Sequence, residues 1–494
     1  MATTDPGPRC PPPPLREAFP RLRQLERHDR SSVRRLERLQ LRARRFAQGR
    51  LRDAALEIDR RVGEKPSDFE WGLVRAGAEE GMLDLLIPAE LGGEGCLTAE
   101  VAVVMEELCA ACPGLALVFG AHALGISPLL FDGPLHWDVL GELTASTEEE
   151  RPLLMACALT EPDAGTDVED LDLLAVARIS SRARPVPGGY SLSGTKRFIS
   201  NGSVARWLTV LMPVDPRRPV DTWSCFLVDA RSAGFSVARC EHKMGQRACP
   251  AAELVFDDVF VPADRVVGRV GDGGGITLAV LAASRPAVGA IAVGIARGSY
   301  ERLLGWLRGS PEGGRLLERQ GMQLRLAAMT ERLHLARQAY MDAAVEFDVA
   351  ALGAAGRHPL MRALRLLPNS VHRRRRLRRL ATAPTTRDAL AGLLGRASTD
   401  AAMTRALGLS SLAKASCADT AMSITCEALE IAGLTDAPVR AELEKLWRDA
   451  KLCQIYEGTN QLNRIEVYRT LVAGETMPVL PPARRHLNPA DVAA

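Results

Sequence analysis

Apolar residues recur at helical spacing through the first third of the chain, alternate with polar ones through the next quarter, and return to helical spacing afterwards. Phe46, Leu51, Ala55 and Ile58 mark one helix face and Val101 to Cys109 another, so residues 36–150 read as an N-terminal α-helical domain. Within it, Leu85-Leu86-Ile87-Pro88-Ala89-Glu90-Leu91-Gly92-Gly93 breaks the helix with Pro and paired Gly. From 151 to 270, Trp207–Leu211, Ser224–Val228 and Glu253–Phe256 read as strands, and Gly188–Gly194 as strand and turn, predicting a central β-sheet or barrel domain. Residues 271–475 return to a C-terminal α-helical bundle, interrupted over 353–398 by Gly353, Gly356, Pro359 and Pro368. A Pro/Arg-rich extension (1–35), expected to be poorly ordered before a helix from about Ser32, and a tail (476–494) complete an α+β multidomain plan.

Composition narrows the class. At 494 residues the chain exceeds one core, and 47% apolar with 25% charged residues marks a soluble globular protein. The most apolar helix, near 276–297, carries Arg285 and Pro286, so no membrane span is expected. Met1–Pro14 lacks the apolar stretch of a secretory signal, and a cytoplasmic location follows as the expectation. Eleven cysteines form no framework and read as reduced thiols; Cys109 and Cys112 read as small buried helix residues. The eight histidines show no metal-ligand spacing. Net charge is only +3, yet residues 1–50 hold 13 Arg against 5 acids, and residues 357–379 hold 9 Arg and no acid.

The run Gln454-Ile455-Tyr456-Glu457-Gly458-Thr459-Asn460-Gln461 is the strongest chemical signal. A carboxylate removes a weakly acidic carbon-bound proton only if partly desolvated, which raises its pKa. Gly458 suits a close substrate approach and offers a backbone N–H to a developing oxyanion. Read alone, Tyr-Glu-Gly favours a helix end with an exposed Glu and a capping Gly, and it is the rest of the chain that reverses this. Three further stretches are Ala158-Leu159-Thr160-Glu161-Pro162-Asp163-Ala164-Gly165-Thr166-Asp167, Gly194-Thr195-Lys196-Arg197-Phe198-Ile199-Ser200-Asn201-Gly202, and Lys243–Ala248 followed by Leu254–Pro262.

Together these motifs resemble the acyl-CoA dehydrogenases over about residues 40–475. The resemblance implies an FAD-dependent enzyme that converts an acyl-CoA to the trans-2-enoyl-CoA, with Glu457 as the base. It implies cofactor contacts from Leu159, Thr160, Gly165, Thr166, Phe198, Ser200, Gln320, Thr459 and Gln461, and substrate contacts from Thr166, Ser284, Arg285 and Gly458. An electron-transferring flavoprotein as acceptor and a homo-oligomer, tetramer or dimer, are implied as well.

The chain departs from the family's pattern at several points. Asp170 stands where a small residue is usual, Phe198 where Trp is commoner, and Ala282 where an Asp often contacts CoA. The family's Arg-x-x-Phe-Gly, which reaches the neighbouring subunit's flavin, is absent around Gly309–Gly313, and of the paired glycines before the catalytic segment only Gly433 remains. Gly271-Asp272-Gly273-Gly274-Gly275 reads as a helix N-terminus with a glycine-rich approach. The run Arg373–Arg379 reads foremost as a solvated basic loop; with its leucine-rich neighbours it suits an anionic membrane surface better than nucleic acid. The alternatives are an oxygen-using or non-catalytic member of the same fold, its Arg segments binding membrane or nucleic acid.

Overall fold

A computed structural model describes residues 15–27, 31–356, 400–434 and 437–477. The Arg373–Arg379 run lies outside the described residues, as do most of the 353–398 interruption and the tail from 478.

The N-terminal domain contains α1 (Leu15–Ala18), α2 (Leu22–Glu26), α3 (Ser32–Phe46), α4 (Arg52–Glu64), α5 (Trp71–Glu79), α6 (Thr98–Ala111), α7 (Pro113–Phe131) and α8 (Trp137–Ala145). The expected disorder before residue 30 is corrected over 15–27. Phe19, Leu22 and Leu25 are buried, and Arg21 pairs with Asp342 and Glu346 at 2.5 Å each. Apolar side chains at i, i+3 and i+6 give this segment enough burial to fold onto the bundle. The Pro88–Gly93 break appears as foreseen, a short 3₁₀ turn over Ala89–Leu91 closed by left-handed Gly92.

The central domain holds β1 (Met155–Ala158), α9 (Leu171–Leu174), β2 (Arg182–Val186), β3 (Gly189–Ser200), β4 (Trp207–Pro213), α10 (Pro219–Thr222), β5 (Trp223–Asp229), β6 (Phe235–Cys240), β7 (Ala251–Pro262) and β8 (Val266–Val267). They form two four-stranded sheets, β1-β4-β5-β8 and β2-β3-β7-β6, instead of one closed barrel. Alternation along β4 explains the layering. Leu208, Val210 and Met212 face the second sheet, while Trp207 and Leu211 face Ile126 and Leu129 of α7 and Val139 of α8.

The C-terminal bundle comprises α11 (Gly273–Gly309), α12 (Pro311–Leu317), α13 (Gln320–Gly356), α14 (Asp400–Gly433), α15 (Arg440–Leu452) and α16 (Asn460–Val467). The glycine-rich Gly271–Gly275 is the entry to α11, as its sequence predicts, and α13 runs through Gly353 to Gly356. Close approach of α11 to α6 needs Gly298, where a Cβ would stand 2.2 Å from the Ala110 carbonyl oxygen. Contrary to expectation, α7 and α11 are both long and apolar enough to cross a membrane; 67% and 83% of their most apolar windows lie buried inside the protein. Cys109 and Cys112 are buried as expected.

Candidate active site

Between α15 and α16 the chain leaves the helical path, and Glu457 (φ 51°) and Gly458 (φ 78°) sit consecutively in the left-handed region. That conformation costs a non-glycine residue about 1–2 kcal/mol, so surrounding contacts must hold it. Three helices supply them. Arg285 of α11 donates from Nε to the Glu457 carbonyl at 3.1 Å. Lys414 of α14 donates from Nζ to the Gly458 carbonyl at 2.5 Å and to Asn460 Oδ1 at 3.0 Å. Asn463 of α16 places Nδ2 3.3, 3.0 and 3.0 Å from the carbonyl oxygens of Glu457, Gly458 and Thr459. Thr459 caps α16 by accepting from the Leu462 amide at 3.3 Å.

The Glu457 carboxylate accepts the Ser284 hydroxyl at 2.6 Å. Part of the residue remains open to solvent, while the protein around the carboxyl pushes its pKa above the usual value; Ser284, Arg285 and Lys414 oppose that rise. Burial lowers Lys414 to about 8. A poised, part-desolvated carboxylate of this kind is what general-base chemistry on a carbon acid requires.

Arg285 is fully buried. Its Nη1 donates to Ser411 at 2.9 Å and pairs with Glu466, and its Nη2 lies 3.4 Å from Glu169. Every guanidinium nitrogen therefore points at protein, and the expected substrate contact by Arg285 is corrected: it holds the turn that carries Glu457. Ser284 likewise spends its hydroxyl on Glu457.

The loop after β1 is strapped to β3. Lys196, fully buried, donates to the Leu159 carbonyl and to Glu161, each at 2.9 Å, and the Arg197 amide donates to the Thr160 carbonyl at 2.9 Å. Glu161 also accepts from Ser180 N at 2.8 Å and from Ser181 Oγ. Gly165 ends this loop, and the 3₁₀ turn Thr166–Glu169 carries the chain onward to Arg285. Asp170, unusual from sequence, has a local purpose. It accepts the Asp172 and Leu173 amides at 2.9 and 3.0 Å, capping α9, and pairs with Arg469 at 2.7 Å.

Thr160 and Thr166 are half-buried. Phe198 lies where the β3–β7 register shifts; its φ is 59° and it is 55% exposed, with the Arg197 guanidinium 4.7 Å from its ring centre. Ser200 ends β3, half-buried. Gln461 is exposed in the first turn of α16, and Gln320 is exposed at the start of α13, outside the hydrogen-bonded cluster around Glu457.

Sequence reading missed Glu169, Ser411, Lys414, Asn463 and Glu466. One signal was present: Ser411 and Lys414, three apart inside an otherwise apolar stretch, share a helix face and are both fully buried.

Comparison with known proteins matches the acyl-CoA dehydrogenase N-terminal domain to residues 35–134, the middle domain to 156–259, and the C-terminal domain to 271–357 and 350–472. The chain is similar to cyclohex-1-ene-1-carbonyl-CoA dehydrogenase of Syntrophus aciditrophicus, 31% identical over 398 residues, 80% of this chain and 81% of that protein. It is similar to a chain in the structure of an electron transferring flavoprotein of Acidaminococcus fermentans, at 25% identity and TM-score 0.68, covering 89% of this chain and 98% of that one. It shares its fold with butyryl-CoA dehydrogenase from Megasphaera elsdenii, at 23% identity and TM-score 0.67, covering 89% and 98%.

Proposed function

Because the chain belongs to the acyl-CoA dehydrogenase family, an oxidoreductase class, we propose that it desaturates an acyl-CoA thioester between its α and β carbons, with Glu457 removing the α proton. The observation that carries this reading is the Glu457 carboxylate, raised in basicity by burial and fixed by Ser284 on a turn whose carbonyls are pinned from three helices. Proton removal builds negative charge on the thioester oxygen. The Gly458 amide, beside the buried cations Arg285 and Lys414, supplies the electrostatic support for it.

The fit of FAD rests on the exposed aromatic face of Phe198 and the half-buried hydroxyls of Thr160 and Thr166, a mixed apolar and hydroxyl lining suited to a planar ring. Those residues, with Ser200 and the Leu159–Gly165 loop, would hold the ring, and Thr459, Gln461 and Gln320 extend the proposed contacts. Bound there, FAD supplies the hydride acceptor for the β carbon. Around Gly309–Gly313 the chain is committed to a helix corner, with Ser310 accepting the Gly313 amide at 3.0 Å, so the cofactor's pyrophosphate end would be held either more weakly than in the family's usual pattern or by substituted contacts. An electron-transferring flavoprotein as re-oxidant, a homo-oligomeric assembly, a cytoplasmic location and contact of the Arg373–Arg379 run with anionic membrane complete the proposal.

The test is anaerobic titration of the purified flavoprotein with a panel of acyl-CoAs. Wild type bleaches with at least one of them, and Glu457→Gln does not. Bleaching that survives Glu457→Gln would remove Glu457 from the role of base.

A further inference from the structure

Three carboxyl groups and two cations converge around Gly458. Arg285 touches Glu466, Glu169 and the Glu457 carbonyl, while Lys414 touches the Gly458 carbonyl. A Cβ built on Gly458 would stand 2.9 Å from Glu169 Oε2, 3.1 Å from Arg285 Nη2 and 3.1 Å from Asn463 Nδ2, so Glu169 borders the backbone that faces the proposed thioester. With every group ionised, the cluster holds one negative charge in excess, in a place largely closed to water, which is costly. One proton relieves it.

Hydrogen bonding decides which carboxyl keeps that proton. Glu466 has the closest Arg285 contact and the Ser411 hydroxyl at 2.7 Å. Glu457 has the Ser284 hydroxyl at 2.6 Å. Among the described residues, Glu169 has only the 3.4 Å approach to Arg285. Building on the acyl-CoA reading above, we propose that Glu169 carries a proton in the working enzyme and so keeps a second negative charge away from the point beside Gly458 where enolate charge develops.

The electrostatics agree with the count. Burial pushes Glu169 up to about 7, Glu457 and Glu466 push the same way, and Arg285 and Lys414 oppose. The neighbouring Cys157 thiol stays neutral, raised to about 11 by burial. The consequence is a rate that rises as Glu457 ionises and falls when Glu169 ionises. Glu169 is a positioning residue in this scheme, setting the field in which Glu457 works.

The experiment has two arms. In the first, infrared titration of the substrate-free holoenzyme is expected to show a protonated-carboxyl band that fades as pH passes neutrality and is missing from Glu169→Gln. In the second, the pH profile of kcat/KM with a reactive acyl-CoA keeps its acid limb in Glu169→Gln while its alkaline limb moves up by about one pH unit or more. An unchanged band, or an alkaline limb that stays put, overturns the proposal. If no acyl-CoA reacts, the functional reading fails and the infrared arm still decides the state of Glu169. Should Glu169→Gln not fold, Glu169→Asp carries the infrared test, with a displaced band as the expected result and an unmoved one as refutation.

Discussion

Replacing Lys414 by Met separates support of chemistry from support of the fold. Lys414 is fully buried, and burial lowers its pKa from 10.5 to about 8. A gap of about 2.5 pH units, at about 1.4 kcal/mol each, means that the charged side chain costs the folded state about 3 kcal/mol at pH 7. Met removes that cost and keeps most of the volume. Against it stand two lost hydrogen bonds, but the Gly458 carbonyl keeps Asn463 at 3.0 Å, so Asn460 Oδ1 is the acceptor that loses its Lys414 donor, at about 1–3 kcal/mol. Stability at pH 7 is therefore expected to change by no more than about 2 kcal/mol. Between pH 8 and 10.5 the unfolded chain holds the Lys414 proton and the folded one has lost it, so wild type gains stability as pH rises and the Met variant lacks that gain. Urea unfolding at pH 7 and pH 10 should show the variant falling behind by up to about 3 kcal/mol over that interval. Activity should fall about tenfold or more, since losing about 1.4 kcal/mol of support for enolate charge is a factor of ten. A stability difference that is the same at both pH values would refute the buried, depressed Lys414, and full activity would refute its electrostatic part.

Two smaller tests follow from the same site. Gly458→Ala puts a Cβ on a backbone at φ 78° and within 2.9–3.1 Å of three polar side chains; about 2–4 kcal/mol of stability should be lost in denaturant unfolding, and substrate-driven flavin reduction should suffer beyond what the unfolded fraction explains. Phe198→Ala removes a ring that is 55% exposed and rests on Arg197, so unfolding should move by no more than about 0.5 kcal/mol while less FAD stays bound through gel filtration; unchanged flavin content would remove Phe198 from the ring's lining.

How much of this was legible in the sequence depended on whether the information was contiguous. The order of helices, strands and helices follows from local period, and β4, β5 and β7 were found because their side chains alternate or run apolar. β6, whose middle residues are exposed, offers no such pattern. Whether strands close into a barrel or split into two sheets is fixed by pairings such as β1 with β4, some fifty residues apart, which no window sees. The turn that carries Glu457 could be read because Glu457, Gly458 and Thr459 are neighbours. Its supports could not: Arg285 meets Glu169 across 116 residues and Glu466 across 181. Arg285 shows the physical reason most clearly. An Arg in a motif that resembles a substrate-binding helix invites the expectation of an anionic ligand, but a guanidinium with no exposed surface is already matched by Glu466, Glu169 and a backbone carbonyl. Only the fold reveals that its charge is spent on the protein's own carboxyl groups and on the Glu457 carbonyl, while burial raises the Glu457 carboxyl and Ser284, Arg285 and Lys414 hold that rise back.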